Sequence, residues 1–152
     1  MRFMMIVKAN KDSEAGVLPS KELIAAMGKF NEEMAKDGVL LAGEGLQASS
    51  KGARVKFSGG KRTVTDGPFA ETKELIAGFW LIQVKSREEA IEWALRCPEP
   101  HEGGESEIEI RQVFEASDFP AEIFPAEDAA REQALRDELQ KNAAKLQQKR
   151  SG

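Results

Sequence analysis

Apolar and polar positions along this chain alternate with two periods, close to 2 in some stretches and close to 3.6 in others, and the order of those stretches sets the fold class. Residues 2–9 are apolar and rich in β-formers, and the polar stretch from Asn10 to Gly16 follows, so a first strand runs into a loop. Pro19 and Ser20 announce a helix. Leu23, Met27, Phe30 and Met34 then recur at spacings of four and three, and Asp37-Gly38 is the stop, which predicts a helix over roughly 20–37. Val39 to Leu46 reads as a second strand, with Gly43-Glu44-Gly45 marking a bulge or a close approach to the backbone. Ala53 to Phe57 and Arg62 to Thr65 alternate around Ser58-Gly59-Gly60-Lys61, the pattern of a polar hairpin.

Leu75 to Val84 carries apolar side chains at odd and even positions alike, as a strand buried on both faces would. Ser86, with Glu89 three residues on, fits a capping box, and Ala90, Ile91, Trp93, Ala94 and Leu95 continue at helical spacing as far as Cys97-Pro98. Glu107 to Phe114 alternates again, with Ile108, Ile110 and Phe114 on one face and Glu107, Glu109 and Arg111 on the other. The order is strand, helix, strand, hairpin, strand, helix, strand. That is the split βαβ pattern: an α+β, ferredoxin-like antiparallel sheet with two helices on one face and an added hairpin.

Two helices can cover only one face of such a sheet, so the doubly apolar strand needs a second cover. The chain offers no further strands, which leaves the sheet of a second subunit packed about a two-fold axis and predicts a homodimer. From Ala116 the composition changes. Phe119-Pro120 and Phe124-Pro125 break the chain, and Glu127 to Arg150, rich in Ala, Glu, Gln, Lys and Leu, predicts a terminal helix. Leu135, Leu139, Asn142 and Leu146 form a narrow seam along it, suited either to a solvated helix or to docking on a partner subunit. The expected division is a domain over 1–115 and a linker plus C-terminal helix over 116–152.

Composition narrows the function classes. The 152 residues are 41% hydrophobic and 32% charged, the balance of a folded globular chain. A net charge of -4 argues against nucleic acid as a partner, because phosphate binding needs a concentrated excess of Lys and Arg. No apolar run approaches the ~20 residues that span a bilayer, so no membrane is expected. The single cysteine, Cys97, cannot pair within the chain and points to the cytoplasm. One cysteine and one histidine also leave too few ligands for a zinc site, so no metal is expected, and no cofactor motif is present.

Candidate chemistry centres on Asp66-Gly67-Pro68-Phe69-Ala70-Glu71-Thr72-Lys73-Glu74. Asp66 reads as a turn residue whose carboxylate accepts local N–H bonds, with Gly67 supplying unusual backbone angles. Alternatively, Asp66 and Glu71 converge at a cleft as a general acid and base. Arg111 shares a face with Glu107 and Glu109 and is either a surface ion-pair member or an anchor for an anionic ligand. His101, among prolines and glycines, is a solvated loop residue or a proton carrier. Trp80 and Phe69 line an apolar pocket or belong to the core or dimer interface. Cys97 reads as a small buried filler, and Arg54, Lys56, Lys61 and Arg62 as a basic, solvated ribbon.

The nine residues from Asp66 to Glu74 closely resemble the signature of the DGPF-domain proteins, a branch of the YCII-related family. The likeness continues through Gly78-Phe79-Trp80, Glu89-Ala90, Trp93-Ala94 and Ile108-Glu109-Ile110-Arg111. It implies a ferredoxin-like fold of the dimeric α/β-barrel type, with a cleft between helices, sheet and partner. Members of the wider group look like enzymes with a His on the first helix and an Asp just after the second. Here Ala26 falls near the first position and Cys97 at the second, so that pair is not carried over. Two readings follow. One is a small-molecule-binding protein, in which Asp66, Glu71, Trp80 and Arg111 line the cleft and any reaction is unassigned. The other is a non-catalytic regulatory or interaction module that uses its terminal helix.

Overall fold

The computed structural model describes residues 1–152, in two units, Met1–Val113 and Phe114–Gly152. In the first, the elements run β1 (Arg2–Lys8), α1 (Lys11–Glu14), α2 (Lys21–Lys36), β2 (Leu40–Gly45), β3 (Ala53–Ser58), β4 (Lys61–Asp66), β5 (Ile76–Gln83), α3 (Arg87–Arg96) and β6 (Ile108–Gln112). Strands β2, β5, β1 and β6 lie side by side in that order, every neighbour antiparallel, while β3 and β4 form a separate hairpin. This is the ferredoxin-like α+β fold.

Strand alternation sorts the side chains. In β1, Phe3, Met5 and Val7 are buried, and the register sets Met5 opposite Trp80 of β5 and Ile110 of β6, and Phe3 opposite Ile82. These residues meet Phe30 and Met34 of α2 and Ala90 and Trp93 of α3 in one core. Phe3, Met5, Met34 and Ile82 are almost wholly withdrawn from solvent. Each such side chain contributes about 1.5–3 kcal/mol of burial. On the opposite sheet face, Met4, Ile6, Phe79 and Leu81 stand next to one another in register and are only half-buried.

Helix α2 begins where Ser20 accepts the Leu23 N–H, and α3 where Ser86 accepts that of Glu89; the return bond of the expected capping box is displaced by one residue, the Glu89 carboxylate accepting from the Lys85 N–H rather than from that of Ser86. The Asn10 to Gly16 stretch, expected as loop, contains the single turn α1. Asn10 accepts from the Ser13 N–H at 2.8 Å, while the Asn10 N–H donates to the Ser13 hydroxyl at 3.0 Å. Four residues are too few to show a helical period. The last strand stops at Gln112, short of Phe114, because its partner β1 starts at Arg2, whose carbonyl takes the Val113 N–H. In β2 the register shifts at Leu41, while Gly43 gives clearance: a Cβ there would lie 2.8 Å from Cδ1 of Trp80.

In the second unit, Phe114, Phe119 and Phe124 pack in succession, with ring centroids 4.9 and 5.9 Å apart. Helix α4 (Ala126–Arg150) follows, and its Leu135, Leu139 and Leu146 are exposed. No helix is long and apolar enough to cross a membrane.

Truncating Met34, at the centre of the core, is expected to lower unfolding stability by about 2–5 kcal/mol in urea titrations of Met34→Ala. Leu95→Ala on the exposed side of α3 is expected to stay within about 0.5 kcal/mol.

Candidate functional site

The apolar stripe of α2 is continuous in sequence and divided in space. Phe30 and Met34 enter the core, whereas Met27 and Leu23, one and two turns earlier, are half-buried and line an open cleft of about 1110 Å³. The opposite wall comes from the ends of β2 and β5, from Gly43 to Leu46 and from Ala77 to Trp80, and the rim from the segments around α1 and Pro100–Glu102. Gly28 also faces this space, and apart from its chain neighbours and its own helix backbone no atom lies within 4 Å of where its Cβ would be.

Three groups bring polarity to the apolar wall. The Trp80 indole N–H donates to Oδ1 of Asn31 at 2.7 Å, which fixes that amide at the cleft while the ring packs edge-on against Phe30, centroids 5.6 Å apart. His101 Nε2 lies 2.7 Å from the Lys8 carbonyl oxygen. A carbonyl only accepts, so this geometry assigns a ring proton to Nε2. The third group is Glu102. Its carboxyl is held below the usual glutamate range by the Ser20 hydroxyl and then by the Ser20 N–H, which pins the His101 loop to the start of α2.

Of the residues singled out from sequence, Trp80 and His101 both line the cleft, and Asp66, Glu71 and Arg111 lie outside it. Asp66 closes β4 opposite Ala53, with an exposed carboxylate that takes no backbone N–H, and Glu71 is exposed as well. Gly67 is in an ordinary negative-φ conformation. Its need is space, since a Cβ would sit 1.8 Å from the Ser49 carbonyl oxygen. The same loop is tied down by Phe69 N–H to the Ser49 hydroxyl at 3.1 Å, and that hydroxyl donates to Glu14 at 2.5 Å. The Arg54 guanidinium covers the Phe69 ring at 3.8 Å. Arg111 sits opposite Met4, on the sheet face away from the helices, and pairs with Glu109 at 3.5 Å. No three His, Cys or carboxylate side chains converge as a metal site would require.

Sequence reasoning missed Asn31 and Gly28. Both lie one turn or less beyond Met27 on α2, and a glycine in mid-helix was the available signal.

A sequence profile of the YCII-related domain matches residues 1–117. An uncharacterized protein of Rhizobium meliloti is 45% identical over 49 residues, which is 32% of this chain and 40% of that protein. The match therefore spans well under half the length of either.

Burial pushes the Cys97 thiol up to about 12. A thiol raised on folding stays protonated where the unfolded one ionises, so its contribution to stability is present at neutral pH and is lost as pH rises from the ordinary thiol range toward that value. Iodoacetamide at mildly alkaline pH is accordingly expected to alkylate Cys97 far more slowly in the native protein than in urea, as followed by intact mass. Equal rates would contradict the burial.

Proposed function

This chain belongs to the YCII-related family, and from that premise we propose that it is a homodimeric small-molecule-binding protein whose ligand occupies the cleft beside Trp80 and His101. The observation that carries this is Gly28. A glycine inside a helix is about 1 kcal/mol less favourable than alanine, and here no neighbouring atom excludes a side chain. The space in front of it is the space a ligand would take. The cleft volume lies just above the roughly 300–1,000 Å³ range of small-molecule sites, and its apolar wall with a few fixed polar groups is their usual composition.

The chemistry of the lining suits an organic molecule with an apolar body against Leu23, Ile24 and Met27 and a polar end toward the Asn31 amide and His101. Asn31 has one partner already in Trp80, so its amide N–H groups remain to donate. Nε2 of His101 is occupied by the Lys8 carbonyl, which leaves Nδ1 as the ring nitrogen available to a ligand's polar end. The homodimer rests on the second sheet face, where Met4, Ile6, Phe79 and Leu81 form an apolar row on the side away from α2 and α3. A second copy of the same sheet fits it. A cytoplasmic location is proposed with it, from the lone cysteine.

Native mass spectrometry of the freshly purified protein is expected to show a dimer that carries a retained small molecule. Gly28→Phe, which projects a ring into the cleft beside Met27 and Asn31, is expected to abolish that extra mass while leaving the far-ultraviolet circular dichroism unchanged. Asp66→Asn and Arg111→Ala are expected to retain it. Loss of the ligand in either of those two variants, with retention in Gly28→Phe, would relocate the site. Sedimentation at micromolar concentration is expected to report a dimer, and a monomer would overturn the account of the open sheet face.

A further inference from the structure

Helix α4, Ala126–Arg150, lies outside the matched domain and would be about 37 Å long. Its charges are segregated. Glu127, Asp128, Glu132, Asp137 and Glu138 outnumber Arg131 and Arg136 in the first half, while the second half carries Lys141, Lys145, Lys149 and Arg150 and no acid. Arg131 pairs within the helix with Glu127 and Asp128, and Arg136 with Glu132; the cations of the second half make no ion pair. Such a distribution suits the helix macrodipole, but that effect fades within the terminal turns, and Glu132 to Glu138 lie beyond the first.

We propose that α4 pairs antiparallel with α4 of a second copy of this chain. The apolar seam of Leu135, Leu139 and Leu146, exposed at 55, 57 and 62%, supplies the contact. Charge complementarity selects the partner and the direction. When Leu135 is set opposite Leu146 of the second copy, Leu139 falls opposite Asn142 and Glu132 opposite Lys149, and Glu138 flanks Lys145; the two-fold repeats each contact. A parallel, in-register pair would instead set Glu132 against Glu132 and Lys149 against Lys149. A shift of one heptad in the antiparallel pair would set Leu146 against Asp128. Asn142, the polar member of the seam, faces a leucine edge and specifies register at some loss of stability. This inference stands apart from the cleft and uses none of its residues.

The test uses the full chain with Cys97→Ala, to which Leu135→Cys or Leu146→Cys is added singly, and a short bis-maleimide. In the antiparallel pair two copies of position 135 are roughly 16 Å apart along the axis. The mixture of the two variants is therefore expected to give covalent dimer, and each variant alone to give none. A variant that cross-links to itself as readily as the mixture does, or a mixture that fails to cross-link, would overturn the proposal. Glu132→Lys with Glu138→Lys is expected to suppress the cross-link, and adding Lys145→Glu with Lys149→Glu to restore it. Failure of that charge swap to restore the link would remove charge as the basis of the pairing.

Discussion

Trp80 holds the first unit together and also opens it. Its ring lies on the helix side of the central strand pair, opposite Met5 and edge-on to Phe30, and its indole N–H is satisfied by Asn31. A buried indole without that acceptor would carry an unpaired donor, at a penalty of about 1–3 kcal/mol. That bond and the burial of Phe30 and Met34 hold the second half of α2 on the sheet. Toward Ser20 the helix stays clear of the strands, and the cleft is what remains between them. Gly43 completes the arrangement, because any side chain there would displace the ring.

The order of strands and helices along the chain, and with it the split βαβ pattern, was legible from sequence because each element depends on local signals that agree: alternation in the strands, serine caps on the helices and stops at Asp37-Gly38 and Cys97-Pro98. The cleft was legible only in part. The spacing of Leu23, Met27, Phe30 and Met34 states that these residues share a face. It cannot state that the face is half core and half wall, since that depends on where the sheet ends beneath the helix. Trp80 and His101 were recognisable as unusual residues, but the acceptors that position them, Asn31 and the Lys8 carbonyl, are brought near by the fold alone.

The Asp66-Gly67-Pro68-Phe69 loop is the instructive contrast, because the most distinctive stretch of sequence sits away from the cleft. Its features are accounted for by contacts with Ser49: the carbonyl that leaves no room at Gly67, and the hydroxyl that accepts the Phe69 N–H and donates its own O–H to the Glu14 carboxylate. The loop thereby fastens the hairpin to the segment leading out of α1, which forms one rim of the cleft. A strongly marked sequence can report a demanding backbone approach as readily as a chemical group.

The place of β1 between β5 and β6 has a consequence for how the chain reaches this state. Met5 pairs with Trp80, about seventy-five positions downstream, and the other edge waits for Ile110. Neither ladder can zip from a tight turn. The search must close long loops before any hydrogen bond of the central strands forms, which places the first unit among topologies of high contact order. Until then the alternating apolar face of β1 has no native partner and only α2, its sequence neighbour, to shelter it. The amphipathic helix that later walls the cleft is thus also the nearest available cover for the strand during folding.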